Sequence, residues 1–532
     1  MKINYFKILS PFRGLNADYK IEFNNHSNGE RIEPICFVGL NGSGKSNVLE
    51  ALSEAFFYLE AYSEERSKYQ LRKYKTSFGF DLEFEINPTF QESKISFDQL
   101  EREGFTWSGI GNIRIQYFKE CNELPKMILH TNIEPTTIEN RENFILPNRI
   151  VGYSSGMNEL ISNPFYKIDF FYVENLREQA RGIDTYRPQL NRMFLLDYEA
   201  NKIATVCSQI YSRDNNTNIL NAELQLSSIN SFSVYLRTNR PNFVKFNFPS
   251  SISLIIEKLI SCASSSSETG NAFKKKLNFE INDTTREKFY NTWRTAYELF
   301  KDLYQLRLMN TFLIPDSLIK KARDIELGKS LSSWLPKATP INQIFYIDQI
   351  SFRNSANEVV YYKHLSDGEH QLLHSLSGLM LLESRNSIFI FDEPDTHFNP
   401  EWRSKYISLL NKILRDRLKE QLIFITTHSP FIISDCKREN VFLFNKGESS
   451  PSNPSLNTFG TSVNILTEEI FKKHESISDS PLEIIEDIKN GGLNTLDDIQ
   501  NAKESARVLG ESVEKVLLFR ELIIKENQLQ QK

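Results

Sequence analysis

The stretch Gly39-Leu40-Asn41-Gly42-Ser43-Gly44-Lys45-Ser46 decides the fold of this 532-residue chain. It follows the apolar run 35–38 and precedes residues 47–57, whose apolar side chains recur at helical spacing. A strand, a glycine-rich loop and a helix in this order bind phosphate, because the curled backbone and the helix start both point N–H groups at the anion. The sequence therefore predicts a nucleotide-binding α/β domain.

The positions of this loop have distinct predicted roles. Lys45 is expected to reach the β- and γ-phosphates of ATP, and Ser46 offers its hydroxyl to Mg²⁺. The other residues predicted to contact the nucleotide are Gly39, Asn41, Gly42, Ser43, Gly44 and Asn47. ATP and Mg²⁺ are therefore the predicted cofactors.

A second apolar run, 387–391, ends in two carboxylates, Asp392 and Glu393. A buried strand of an α/β sheet presents the residues at its C-terminal end to the ligand. We predict that Asp392 holds Mg²⁺ through water and that Glu393 takes a proton from the attacking water. Asp395, in the turn that follows, is predicted to touch an opposite subunit.

The segment 365–369, Leu-Ser-Asp-Gly-Glu, lies shortly before that strand. Ser366 can cap a helix, and Gly368 allows an anion to approach the backbone closely. Because the chain has its own phosphate loop, we predict that Ser366, Gly368 and Glu369 face the γ-phosphate of ATP bound to another chain. The prediction is a head-to-head dimer with composite ATP sites. Taken alone, the same residues are also an ordinary helix cap.

Histidines complete the set of candidate residues. His428 follows the apolar run 421–426, where its ring can hydrogen-bond a γ-phosphate or a water. His370 and His374 lie one helical turn apart, a spacing that metal ligands also use. No third ligand accompanies them, so we expect both rings to pack along their helix.

Composition excludes several classes of function. A net charge of −5 gives no global field that would attract nucleic acid. The five cysteines form no CxxC pair, which argues against a zinc site or a disulfide framework. No signal peptide and no run of ~20 apolar residues is present, so we expect a cytoplasmic chain without membrane association.

Basic residues are locally clustered in two places. The run 274–276 consists of three lysines, which we expect to be a solvated patch. Four arginines are more suggestive of contact with nucleic acid or phosphate. They are Arg177, Arg181, Arg187 and Arg192.

The patterns divide the chain into regions with different expected structures. Residues 1–160 are expected to form the first lobe, with antiparallel strands within 78–131. Residues 161–342 are expected to be a mostly helical insertion, and 343–446 the second lobe. After a polar loop at 448–457, the region 447–532 is expected to be helical, with an amphipathic stretch at 501–526 that docks a partner.

Together, the motifs resemble those of ABC-type ATPases of the AAA class, in the branch that includes RecF, SMC and OLD-like proteins. The matching segments are 39–46, 365–369, 388–394, 395–400 and 426–430. The resemblance implies an ABC-type ATPase head, with a phosphate-loop α/β core, an antiparallel β lobe, an inserted helical lobe and a helical C-terminal tail. It also implies slow ATP hydrolysis. Gln116 is a weak candidate for the Q-loop glutamine of that family.

Two further segments, 146–160 and 457–466, resemble restriction-system-associated ATPases and PtuA, the ATPase of Septu-type anti-phage systems and of some retrons. That resemblance implies a defence role in a dimer or larger oligomer. It also implies a partner HNH nuclease of the PtuB type and, in a retron, a reverse transcriptase with its RNA and DNA. The CxxC hook of Rad50-like proteins and the Asp-x-Asp of the OLD-like Toprim domain are absent from the sequence.

Two other functions stay open. A RecF-like ATPase of DNA repair would need no nuclease partner and would bind duplex DNA only with ATP, with a steep salt dependence. A stand-alone nuclease would need a metal-binding carboxylate cluster separate from Asp392 and Glu393, and we find none in the sequence.

Overall fold

A computed structural model describes most of the chain. The described residues are 1–23, 33–64, 78–93, 95–130, 134–155, 161–180, 192–212, 215–237, 248–269, 274–314, 343–414, 421–445, 448, 450–473 and 477–530. They divide into two compact units, Met1–Phe459 and Gly460–Lys532, which are considered one at a time. Among these residues, no helix is both long enough and apolar enough to cross a bilayer.

The strands are β1 Lys2–Ile8, β2 Lys20–Glu22, β3 Ile35–Gly39, β4 Phe80–Ile86, β5 Ile113–Lys119, β6 Lys126–His130, β7 Thr136–Ile138, β8 Arg149–Ser154, β9 Met193–Leu196, β10 Leu226–Arg237, β11 Ser265–Thr269, β12 Lys274–Glu280, β13 Phe345–Asn354, β14 Val359–Tyr361, β15 Ser387–Asp392, β16 Gln421–Thr426 and β17 Val441–Phe444. The α-helices are α1 Lys45–Glu64, α2 Phe97–Arg102, α3 Ser162–Ala180, α4 Tyr198–Ile210, α5 Asn215–Glu223, α6 Ser250–Cys262, α7 Asp283–Thr292, α8 Ala296–Leu308, α9 Asp367–Leu382, α10 Pro400–Leu414, α11 Pro430–Ser434, α12 Val463–Phe471, α13 Asp479–Asn490, α14 Leu496–Ser505 and α15 Val513–Gln530.

A parallel sheet with the strand order β17-β3-β16-β15-β8-β9 forms the centre of the first unit. Every residue of β3 and β15 is buried, as expected for parallel strands that are covered on both faces. In the register, Asp392 lies opposite both Ser154 and Thr426. The carboxyl ends of these strands therefore meet at one edge of the sheet, which carries the candidate site.

An antiparallel sheet with the order β2-β1-β4-β5-β6-β7 lies in the N-terminal part of the chain, where the sequence predicts antiparallel strands. It shares one hydrophobic core with α1 and with strands of the parallel sheet. Aromatic contacts connect these layers: Phe84 packs against Phe56 of α1 and Tyr117 of β5. The fold is therefore an α/β core with an adjoining antiparallel lobe, as predicted.

The region 161–342 is less helical than the sequence predicts. It contains α3 to α8, but β9 joins the parallel sheet, and β10, β11 and β12 form an antiparallel sheet with β13 and β14. The pairing of β10 with β13 is interrupted by register shifts, which break the two-residue alternation that identifies a strand. The polar strand β11 lies at the edge of this sheet and pairs with β12.

The boundary before the C-terminal unit lies beyond the predicted position of 446. The polar segment after β17 is bonded back to the first unit: Ser452 pairs with Leu443, and the Asn453 amide donates to the Val441 carbonyl at 2.8 Å. The Thr458 hydroxyl donates to the Cys436 carbonyl at 2.6 Å. These bonds explain why the first unit extends to Phe459.

The C-terminal unit is helical, as predicted, and has its own small core. However, the predicted amphipathic stretch 501–526 is not one helix. Helix α14 ends at Ser505 and is followed by a 3₁₀ turn, Ala506–Val508, and α15 begins only at Val513. Leu518 and Leu522 of α15 are buried in this core.

The first testable prediction concerns the end of β3. Gly39 has a φ of +150°, and a Cβ added to it would lie 2.3 Å from the Phe444 carbonyl oxygen. Gly14 also has a positive φ (+82°), but a Cβ there would have no atom within 4 Å. We expect Gly14→Ala to lower the free energy of unfolding by about 1 kcal/mol. Gly39→Ala should lower it by ~1–3 kcal/mol more than Gly14→Ala does, because the added Cβ overpacks the site.

Chemical denaturation of both variants without nucleotide checks this prediction. Equal destabilisation by the two substitutions would show that the contact with Phe444 does not restrict position 39.

Candidate active site

The phosphate loop connects β3 to α1 by tight turns. Gly42 and Gly44 have φ values of +74° and +102°, which side-chain-bearing residues rarely adopt. The Ser43 N–H donates to the Leu40 carbonyl at 3.2 Å and closes one of these turns. Because α1 begins at Lys45, the positive end of that helix lies directly behind the loop.

Lys45 lies inside this loop. Its side chain is buried, and its ammonium donates to the carbonyls of Gly39 at 2.8 Å and Leu40 at 3.2 Å. Burial lowers the pKa of Lys45, and the carboxylates of Glu393 and Asp392 act in the opposite direction. The ammonium is therefore placed between a phosphate-binding loop and the two predicted acidic residues.

Asp392 ends β15, and its carboxylate is buried beside the loop. It accepts a hydrogen bond from the Thr426 hydroxyl at 2.6 Å and one from the Ser46 hydroxyl at 3.2 Å. Burial raises the pKa of Asp392, whereas these hydrogen bonds lower it. The sequence-predicted metal ligands, Ser46 and Asp392, are thus brought together from positions 346 residues apart.

This pair of ligands suits Mg²⁺. The ion prefers oxygen ligands and is commonly bound by one or two carboxylates together with water and substrate phosphates. Ser46 and Asp392 supply a hydroxyl and a carboxylate next to the phosphate loop. Within the part of the chain that the structure describes, no group of three or more His, Cys, Asp or Glu side chains forms an all-protein metal site.

Glu393 and His428 lie together at the same edge of the sheet. The Nε2 atom of His428 is 3.5 Å from Oε1 of Glu393, and their side chains are 34 % and 42 % exposed. Burial and the nearby Lys45 lower the pKa of His428, and the Glu393 carboxylate opposes this shift. The ring is therefore neutral near pH 7, with one nitrogen that donates and one that accepts.

The backbone of Glu393 is held in an uncommon conformation. Its φ is +50°, in the left-handed region. Its N–H donates to the Thr426 hydroxyl at 2.9 Å, and its carbonyl accepts from the Gln371 amide at 3.2 Å and the Thr396 hydroxyl at 3.0 Å. Such strain persists where the surroundings fix the conformation, and it is common at functional sites.

Sequence reasoning did not assign roles to Thr426, Gln371 or Thr396. Thr426 could have been found from its position, because it ends the strand that neighbours β15 in a parallel sheet. Gln371 and Thr396 gave no comparable signal, since their contacts depend on how α9 packs against the turn after Glu393.

Comparison with known proteins bears on this site. Residues 1–433 match the family model of the AAA ATPase domain. The chain belongs to this family. The ATPase class predicted from the motifs is therefore confirmed.

Individual relatives of this AAA ATPase are distant. Protein ea59 of Escherichia phage lambda is 26 % identical over 113 residues, and the match spans only 21 % of this chain and 21 % of that relative. The SMC head bound to the C-winged helix domain of ScpA is 12 % identical, with 86 % of this chain and 98 % of that chain covered at a TM-score of 0.34. The SMC head domain from Thermotoga maritima is 13 % identical, with 86 % and 100 % covered at a TM-score of 0.29.

The three residues predicted to face the nucleotide of a second chain lie at the start of α9. Ser366 is the N-cap, and Glu369 completes a capping box by accepting from the Ser366 N–H at 2.7 Å. Gly368 is buried, and a Cβ added there would lie 2.8 Å from the His397 carbonyl oxygen. Gly368 and Glu369 therefore have structural roles within their own chain, while the contact of all three residues with a second chain's nucleotide stays a prediction.

Asp395 is placed differently from the prediction. Its side chain is 5 % exposed, and both carboxylate oxygens accept from the Thr427 hydroxyl at 3.1 Å. The carboxylate therefore lies inside its own subunit, contrary to the prediction that it touches an opposite one. A buried carboxylate needs such hydrogen bonds, and Thr427 provides them locally.

Two candidate amides bond elsewhere in the structure. The Asn47 side chain donates to the Arg13 carbonyl at 2.7 Å and thereby fastens the start of α1 to the N-terminal segment. Gln116 lies on β5 and hydrogen-bonds Asp81 and His130 of the antiparallel lobe. None of these three hydrogen bonds is directed at the phosphate loop.

The histidine pair of α9 packs as predicted. His374 hydrogen-bonds the Tyr362 hydroxyl at 2.5 Å, and His370 lies edge-on to the same ring. Burial lowers the pKa of His374 to about 3, so the ring is neutral at pH 7.

Two of the four clustered arginines donate hydrogen bonds to groups of their own chain. Arg177 donates to the Thr311 carbonyl at 2.9 Å, and Arg192 donates to the Ser93 hydroxyl at 2.9 Å. Arg181 and Arg187 lie outside the described residues.

The second testable prediction follows from the burial of Asp395. Burial raises the pKa of this carboxyl from 3.8 to about 6, although the Thr427 hydroxyl opposes the shift. The folded state therefore favours the protonated acid, and this stabilising contribution is lost as the pH rises through about 6. Asp395→Asn cannot titrate, so between pH 5 and pH 7.5 it should gain roughly 1.4 kcal/mol of stability relative to the wild type.

Thermal unfolding of the two proteins at both pH values measures this difference. The matched control is Asp98→Asn, since Asp98 is exposed at the first turn of α2. A difference between wild type and Asp395→Asn that does not change with pH would contradict the assignment.

Proposed function

We propose that this chain hydrolyses ATP at the edge of its parallel sheet and does so as a dimer of heads. The supporting observation is the convergence of a phosphate loop with two carboxylates. The Ser46 hydroxyl lies 3.2 Å from the buried Asp392, and Lys45 lies in the field of both Asp392 and Glu393. Transfer of a phosphoryl group requires these elements: a cation at the phosphates, a metal ligand and a group that orients the attacking water.

Each side chain has a role in this proposal. Lys45 binds the β- and γ-phosphates, and Ser46 and Asp392 hold Mg²⁺, which neutralises charge that develops on the phosphate oxygens. Glu393 is partly exposed and accepts the proton of the attacking water. His428, neutral and 3.5 Å from Glu393, donates a hydrogen bond to the γ-phosphate or to that water.

We propose the dimer because the start of α9 is exposed and able to bind an anion. Ser366 is exposed at the N-terminus of a 16-residue helix, where the helix dipole favours an anion. The phosphate loop of the same chain already provides one such helix start. Ser366 would therefore complete the ATP site of a second copy, and two sites would form across the interface.

The proposed partner is an HNH nuclease of the PtuB type, in an anti-phage defence complex. This part rests on the resemblance of segments 146–160 and 457–466 to PtuA-like proteins, and it includes association with a reverse transcriptase if the system is a retron. The C-terminal unit supports partner docking, because α15 is apolar on two sides. One side enters the core of the unit, and the other exposes Val513, Val516, Leu517, Ile523 and Ile524.

The third testable prediction concerns the general base. Glu393→Gln should still bind Mg²⁺ and ATP but should lower kcat at least ~100-fold, because the amide cannot accept the proton. The trapped nucleotide should hold the heads together, so sedimentation should show an ATP-dependent dimer. Lys45→Ala should not bind ATP, and Glu401→Gln, with an exposed carboxylate on α10, should behave as wild type. Equal turnover in Glu393→Gln and wild type would remove Glu393 as the base.

The fourth testable prediction concerns the partner. The tagged chain, co-expressed with the genes that neighbour its own, should co-purify with a small HNH protein that mass spectrometry identifies. Val516→Glu combined with Ile524→Glu should abolish this association, because both exposed side chains lie on the outer side of α15. Leu254→Glu changes an equally exposed leucine on α6 and should have no effect.

The same preparation tests the alternative function. If the chain purifies alone and binds duplex DNA only with ATP, in a manner that weakens steeply with salt, a repair-type ATPase replaces the nuclease-controlling subunit.

A further inference from the structure

The buried side chain of Gln371 connects helix α9 to the turn 393–397, which contains Glu393. Gln371 lies on α9 and is 3 % exposed. Its amide nitrogen donates to the Glu393 carbonyl at 3.2 Å, and its amide oxygen accepts from the His397 N–H at 2.8 Å. The two ends of one amide therefore bridge both sides of the turn 393–397.

The bridge acts on the one residue of the turn whose backbone is left-handed, Glu393. Its φ of +50° is maintained by bonds to its N–H and its carbonyl, and Gln371 supplies one of them from outside the turn. The direction of the Glu393 side chain depends on this backbone conformation. Loss of the amide would therefore disturb the position of the carboxylate without touching the phosphate loop.

The start of α9 contacts the same turn at a second point. Gly368 leaves room for the His397 carbonyl oxygen, which would lie 2.8 Å from an added Cβ. His397 is thus held through its carbonyl by close packing and through its N–H by Gln371. Two contacts one helical turn apart therefore connect the start of α9 to the turn 393–397.

We propose that Gln371 is a positioning residue that couples Ser366, at the start of α9, to Glu393 of the same chain. This inference rests on the proposed dimeric ATPase. When Ser366 engages the nucleotide of a second copy, any shift of α9 is passed through Gln371 to the carbonyl of Glu393. Occupancy of one composite site would in this way set the position of the base in the other.

The first test uses Gln371→Met, which keeps the volume of the side chain and removes both hydrogen bonds. We expect ATP-dependent pairing to persist and the KM for ATP to change less than about threefold. We expect kcat to fall roughly 10- to 100-fold, because the base is misplaced while the binding residues are intact. Ser377→Ala, which removes a buried hydroxyl further along the same helix, should leave all three quantities unchanged.

The second variant, Gln371→Glu, distinguishes a loss of positioning from a general folding defect, because its effect on kcat should depend on pH. A protonated glutamic acid can donate to the Glu393 carbonyl as the amide does, whereas an ionised one cannot. Its kcat, expressed relative to wild type at each pH, should therefore recover as the pH falls from 8 to 6. A merely structural role would not produce this recovery.

Several results would overturn the inference. They are an unchanged kcat in Gln371→Met, a raised KM with an unchanged kcat, loss of ATP-dependent pairing together with turnover, or a Gln371→Glu activity ratio that does not vary with pH. If the wild-type chain itself neither binds nor hydrolyses ATP, the proposed function fails instead. The two failures are thus distinguished by the wild-type measurement.

Discussion

The Thr426 hydroxyl is the interaction on which the site depends. It donates to the buried carboxylate of Asp392 at 2.6 Å and accepts from the N–H of Glu393 at 2.9 Å. One side chain at the end of β16 therefore fixes the predicted metal ligand and the predicted base, which end the neighbouring strand. The arrangement is possible because the two strands are parallel and in register, with Asp392 opposite Thr426. Without that hydroxyl, the buried carboxylate of Asp392 and the N–H of Glu393 would each lose a hydrogen bond.

Around this hydroxyl, the site is organised in two layers. The inner layer is polar and buried, and consists of Lys45, Asp392, Thr426 and Gln371. The outer layer, Glu393 and His428, is partly exposed and able to meet a substrate. Burial shifts the pKa of Lys45 downward and that of Asp392 upward, so each shift disfavours the charged form. Because Lys45 and Asp392 also favour each other's charged forms, the two groups depend on each other.

Much of this arrangement was predictable from the sequence. The strand, the glycine-rich loop and the helix at 35–64 were predicted together, because fully apolar strands and glycine turns are local signals. The pairing of Ser46 with Asp392 followed from the rule that ligands bind at the carboxyl ends of parallel strands. The start of α9 at Asp367 was predicted from Ser366 and Glu369, since capping is also a local property.

Features that depend on tertiary contacts were not predictable in this way. The prediction for Asp395 failed because a turn residue is usually exposed, and nothing local indicates that Thr427 buries it. The strands between 226 and 280 were missed because register shifts in β10 disturb the alternation of apolar residues. The role of Gln371 depends on its hydrogen bonds to Glu393 and His397, which lie 22 and 26 positions further along the chain. These residues meet only because α9 packs against the turn 393–397.

The order of strands in the parallel sheet has a consequence for biosynthesis. Strand β3 pairs on one side with β16 and on the other with β17, which ends at Phe444. The phosphate loop therefore acquires both neighbours of its supporting strand only after the chain has been made as far as Phe444. Until then the apolar β3 has exposed edges, a condition that favours misassociation during slow, long-range folding. The central sheet is therefore completed only when β17 has been synthesised, long after β3 itself.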